Sequence, residues 1–196
     1  MKTRSILTIA ILAASISTTV LAKSPDWNLI QIGYAKVDIE GLDEISPAGF
    51  SIGGSKLLGE STLISGSYSL VTDDYQGLDL DLTQVSLGLG YRYAATSTTD
   101  VYGVVSYQYI DLEASSGGNS ENVDDNGYGL TVGVRSRVSD HFEVDASVGY
   151  IDIDGDGETA FGLGANYYFT QNFAAGVSYA VADDVDTFGI SARYAF

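Results

Sequence analysis

Thr187-Phe188-Gly189-Ile190-Ser191-Ala192-Arg193-Tyr194-Ala195-Phe196 places Phe188, Ile190, Ala192, Tyr194 and Phe196 on one parity and Gly189, Ser191, Arg193 and Ala195 on the other. Strict alternation marks a strand with two unlike faces. If its apolar face meets lipid, the sheet that contains it must close, because no unpaired strand edge survives in hydrocarbon. The stretch therefore reads as the closing strand of an all-β transmembrane antiparallel up-and-down β-barrel.

Working backwards from it, the same alternation recurs in segments near 27–38, 48–55, 62–70, 83–93, 101–109, 128–137, 142–150, 161–169 and 173–181. With the opening stretch they make ten strands, each near the nine to eleven residues a tilted membrane strand needs. A merged hairpin would make eight instead. Turn Gly59-Glu60-Ser61 sets a register in which Leu58 pairs with Thr62, Ile52 with Tyr68 and Phe50 with Leu70. Short connections alternate with longer acidic ones, the asymmetry of barrels with short periplasmic turns and long extracellular loops. Residues 113–126, rich in Ser, Gly, Asn and acids, read as a mobile loop. Leu78, Leu80 and Leu82 break the parity of strand four, so either a bulge resets it near Leu82 or that segment stands above the membrane.

The start of the chain agrees with this placement. Lys2 and Arg4 precede an apolar run from Ile6 to Ala14 and the small-residue site Val20-Leu21-Ala22, the pattern of a secretory signal peptide over 1–22, leaving a barrel domain over 23–196. No later run approaches the length of a spanning helix. The absence of Cys removes disulfides and thiolate metal sites. Without Lys2 and Arg4, seven basic residues face 26 acidic ones, a net charge of −19 that argues against nucleic-acid binding. Fourteen Tyr and seven Phe argue against disorder, and 23 Gly suit a turn-rich β protein.

Alternation by itself does not say whether the apolar face looks outward to lipid or inward, as in a soluble barrel. The other parity is mostly Gly, Ser and Ala with a few charges, which suits a narrow lumen. Tyr91, Tyr93, Phe142, Tyr167, Phe169, Phe173, Tyr194 and Phe196 collect beside the short turns, as an interfacial girdle would. The signal peptide, the repeated hairpins and the ending Arg193-Tyr194-Ala195-Phe196 together resemble the small Gram-negative outer-membrane β-barrel proteins of the opacity/porin superfamily, which takes in OmpA-like and OmpX-like barrels. That resemblance implies export to the cell outer membrane and contact with its lipid and lipopolysaccharide. It also implies that Tyr194 and Phe196 are an assembly signal read by the barrel-assembly machinery. A monomer is expected, and the extracellular partner is unknown.

Two groups of side chains stand out. On the lumen parity, centring the turn on Asp140 pairs Arg137 with Glu143 and Arg135 with Asp145, and Arg92 and Arg193 point inward near the same end. This cluster is expected to fill a largely plugged lumen and hold register; the alternative is a selective constriction in a small porin-like channel for solutes or cations. On the other side, acids crowd the long connections, giving a field that attracts cations, with Ca²⁺ or Mg²⁺ as conceivable bridges. Asp152, Asp154 and Asp156 match the first half of a calcium loop, but the position of its bidentate Glu is Leu163, so they form a weak Ca²⁺ site at best. Otherwise no metal or cofactor is expected. Catalysis finds little support, since the lone His141 falls in a periplasmic turn and leaves the acidic outer rim without a base. A structural or surface-interaction protein is the leading expectation.

Overall fold

The computed structural model describes residues 23–40, 46–75, 78–116 and 119–196. The expected signal peptide, and Asp43 and Glu44 of the first acidic connection, lie outside the described residues. Ten antiparallel strands form the fold: β1 (Leu29–Ile39), β2 (Ala48–Leu58), β3 (Thr62–Tyr75), β4 (Leu78–Ala94), β5 (Thr99–Ser116), β6 (Asn119–Arg137), β7 (Phe142–Ile153), β8 (Asp156–Tyr168), β9 (Phe173–Ala182) and β10 (Val185–Ala195). Each pairs with its sequence neighbours, and β1 closes on β10, so no edge is left open.

The opening stretch pairs as its position requires, with Ile190 opposite Tyr34 on β1 and Val177 on β9. Leu58 faces Thr62, Ile52 faces Tyr68 and Phe50 faces Leu70, the register read from the first turn. The apolar parity faces out: Phe50 is 73% exposed and Tyr93 66%. In water such a surface would aggregate; in lipid it is the face that has to be apolar. On β4 it runs from Val85 to Tyr93. Nine residues at ~3.3 Å each, tilted by roughly 40°, reach about 23 Å along the barrel axis, close to the band expected of such barrels.

One expectation is corrected, and of two open alternatives one is removed. Residues 113–126 are not a loop: β5 continues to Ser116 and β6 begins at Asn119, with Asp111 opposite Asp124 and Glu113 opposite Asn122. The ladder joins backbone groups, so Ser and Asn carry it as readily as Val does. No bulge resets β4 either, since its pairing with β3 runs unbroken from Tyr75–Leu78 to Thr62–Tyr91. The acids therefore stand mainly on strand extensions, and β3–β4, β5–β6, β7–β8 and β9–β10 are each separated by only two residues. The β7–β8 turn is Asp154-Gly155 with both φ values positive, 52° and 88°, the backbone of a type I′ hairpin.

Candidate functional site

The lumen is lined by the small parity, including Ser51, Ser65, Ser67, Ser86 and Ser106, around a cavity of about 440 Å³. Its floor, at the end of the barrel where Leu29 pairs with Ala195, is built from the segment before β1. Trp27 shares the inward parity of Leu29 and Gln31, and the chain turns it into the lumen, where it is only 5% exposed. Its indole N–H donates to Asp100 Oδ2 at 2.7 Å, its ring meets Tyr102 edge-on at 5.1 Å, and the Arg135 guanidinium lies 4.4 Å from the ring centre. Tyr102 lies flat because Gly133 faces it; a methyl there would come within 2.6 Å of the phenol oxygen. Ser55 donates to the Trp27 carbonyl at 2.6 Å, and the Leu57 amide donates to the Asn28 side chain at 2.9 Å, so Trp27 and the residue after it are pinned to β2.

Around this floor the expected cluster assembles with different partners. The backbone register is the expected one, Arg137 opposite Glu143 and Arg135 opposite Asp145. The ion pair, however, is diagonal: Arg135 reaches Glu143 Oε1 at 2.6 Å, and Arg193 from β10 reaches the same oxygen at 2.7 Å. Arg193 Nε also donates to Gln31 at 2.9 Å. Arg137 stacks over the Tyr168 ring at 3.7 Å and lies 3.5 Å from Asp26 of the N-terminal segment. Arg92 pairs with Asp100 at 2.8 Å, and Ser24 donates to the same carboxylate at 3.3 Å. Asp145 has no ion pair within 4 Å among the described residues; its carboxylate packs over Gly164, where no side chain opposes it.

Asp100, Trp27 and Asp26 are members the sequence reading did not assign. Asp100 stands at the turn end of β5 and reads as a turn residue, yet it is fully buried and binds Trp27, Arg92 and Ser24. Four arginines, with Lys23 3.1 Å from Asp26 at the outer margin, thus face four carboxylates, Asp26, Asp100, Glu143 and Asp145, and most of the charge is offset. Burying them unpaired would cost several kcal/mol per ion. Offset, they act as a dense polar filling.

The other assigned residues lie at the rims. Tyr194 and Phe196 are exposed on the girdle, where Tyr194 packs against Phe173 at 4.8 Å and Phe196 at 6.4 Å. Asp152 holds the β7–β8 turn: Oδ1 accepts from the Gly155 amide at 3.2 Å, and Oδ2 accepts from Tyr150 at 3.3 Å and Tyr128 at 3.4 Å. With Asp154 and Asp156 it makes no group of three carboxylates among the described residues. His141 Nδ1 contacts the Tyr168 carbonyl at 2.8 Å, so the lone His is a turn fastener.

No curated protein is significantly similar in sequence. Solved structures share the fold. Ail, the attachment invasion locus protein of Yersinia pestis, in complex with the heparin analogue sucrose octasulfate, is 21% identical over 86% of this chain and 97% of its own, with a TM-score of 0.50. The translocator domain of the autotransporter NalP from Neisseria meningitidis is 14% identical over 89% and 90%, at 0.51. The NanC porin is 9% identical over 85% and 100%, at 0.53. At these identities the likeness is one of fold. The family described as outer membrane protein beta-barrel domain matches residues 6–180, and with a closed barrel that turns its apolar parity outward, the chain belongs to that family.

Proposed function

We propose that the protein is a non-enzymatic surface-interaction barrel of the outer membrane, with its lumen blocked at the periplasmic end and its acidic strand extensions offered to the outside. Residues 1–22 direct its export, the barrel-assembly machinery inserts it, and membrane lipid and lipopolysaccharide surround it. The observation that carries the blocked lumen is Trp27, held inside the wall by Asp100, Tyr102 and Arg135 at 5% exposure. A ring seated on a cluster of largely offset charges leaves solute little space and no strong field to follow.

The second reading, a small pore, draws on the cavity of about 440 Å³ above that floor. Conductance in planar bilayers separates the two. The wild-type barrel is expected to be silent, and Trp27→Ala with Asp100→Ala is expected to introduce discrete current steps. Steps in the wild type would replace the first reading with the second.

A further inference from the structure

The polarity of the wall inverts at the outer ends of β3–β6. Within the membrane, even positions of β4 such as Ser86 line the lumen while Leu87 and Leu89 face out. Because the register is unbroken, the same parities continue upward. On β4 above Thr83, however, the inward positions become apolar, Leu82 and Leu80, and the outward ones acidic, Asp81 and Asp79; on β5 the inward Leu112 and Ala114 alternate with the outward Asp111 and Glu113. One hydrogen-bonded row, Val71–Leu82–Leu112–Val123, crosses all four strands on the inner face. The next row outward along the strands, Thr72–Asp81–Glu113–Asn122, lies on the outer face. A sheet with an acidic back and an apolar row across its front is built to stand in water and cover something with that row.

Among the described residues, nothing covers that front at its β5–β6 end. Val71 is buried, but Leu112 keeps 42% and Val123 62% of their surface exposed, although both point toward the axis. The charge beside the row is of one sign: Asp73 and Glu121 lie in the inner-face row above it and Asp125 in the row below. We infer that the inner face of the β3–β6 extension is a docking site for a cationic amphipathic peptide segment, whose apolar side chains lie along the Val71–Val123 row and whose Lys or Arg groups meet Glu121 and Asp125. Four strands at ~4.8 Å make a row about 14 Å long from first to last, a length that four or five extended residues span. An anionic segment meets like charge on both sides of the row, and a purely polar cation gains nothing from the leucines. The site rests on the surface-interaction reading and gives it a partner class.

The test uses the barrel in zwitterionic nanodiscs and a labelled alternating Leu-Lys octapeptide, with alternating Leu-Glu and Ser-Lys peptides and empty discs for comparison. Fluorescence anisotropy is expected to show binding of the Leu-Lys peptide alone. Leu82→Ser with Leu112→Ser should weaken it at least tenfold, and Asp125→Asn with Glu121→Gln should weaken it severalfold and flatten its salt dependence. Val123→Ser, at the most exposed position of the row, serves if the double variant loses its heat-modifiable gel mobility. Equal binding of the Ser-Lys peptide, indifference to the apolar substitutions, or no binding above empty discs overturns the site. A barrel that is silent in bilayers but binds no peptide loses this site and keeps the surface-interaction reading; one that conducts loses that reading whatever the peptide does.

Discussion

Glu143 is the residue on which the floor of the lumen depends. It is fully buried, and one carboxylate oxygen serves Arg135 and Arg193, which come from strands that do not adjoin each other. Glu143→Gln would leave two buried guanidinium groups against a neutral amide, and breaking a buried pair from one side costs about 3–5 kcal/mol. Urea unfolding in lipid should show a lower midpoint for Glu143→Gln than for Asp145→Asn, which removes no ion pair within 4 Å. The sequence placed both arginines and both acids on the inward face, but not the diagonal bond. Register is a backbone property, whereas an Arg side chain reaches beyond its directly opposed neighbour to the better-placed oxygen. At the opposite end, Ser46 donates to Asp38 at 2.7 Å and Lys36 lies 3.1 Å away. The Ser46 hydrogen bond first, then Lys36, holds the Asp38 carboxyl below its ordinary range. The clasp that this carboxylate makes across the β1–β2 connection is thus fully present above the ordinary carboxylate pKa and lost as pH falls through the lowered one. Proteolysis of that connection should rise on acidification in the wild type more than in Asp38→Asn, which lacks the charge at every pH.

At the scale of the strand, alternation located all ten membrane segments, because lipid outside and a packed lumen inside impose the same contrast on each. The β5–β6 extension was misread as a loop, and the β4 extension left undecided, for a physical reason. Above the lipid the contrast reverses, so Leu80, Leu82, Leu112 and Val123 look out of phase, and Ser, Asn and Asp look like loop although their backbones stay in the ladder. Turn chemistry, by contrast, was partly legible in Asp154-Gly155. Positive φ at both positions makes Gly155→Val a strained substitution, costing roughly 1–2 kcal/mol. In refolding experiments it should cost more than removal of residues 113–122. That cut shortens the β5–β6 hairpin but leaves Ile110 opposite Asp125 and Val105 opposite Leu130 inside the barrel. The trimmed protein should keep its heat-modifiable mobility, and a lost gel shift would show that the extension is part of the folding unit.

For the molecule as a whole, the reversal of polarity draws the outer limit of the membrane on the protein. Below it, a side chain that faces out must be apolar, and Val85, Leu87 and Leu89 are; above it, Asp81 and Asp79 occupy the same outward parity of β4. Two strands away, on β6, the outward positions change from Leu130 and Tyr128 to Asn126 and Asp124. A soluble barrel would show one contrast along the full length of each strand, and a barrel wholly inside lipid would show only the opposite one. The chain contains no Cys, so single cysteines report depth without background. Spin labels placed one at a time at Leu89, Leu87, Val85, Thr83, Asp81 and Asp79 should be relaxed by oxygen at the first three and by a water-soluble nickel chelate at the last two, with the crossover at Thr83. The same labels on the inward parity, at Ser86 and Leu82, should show no oxygen maximum, because neither faces lipid. A crossover displaced to Leu87 would put the Tyr107–Tyr128 pair, in register with it, at the bilayer boundary and the inner apolar row well clear of it. A crossover beyond Asp79 would bury those acids in hydrocarbon at about 2 kcal/mol or more each, a cost that the bare outward face of β4 has no cation to offset.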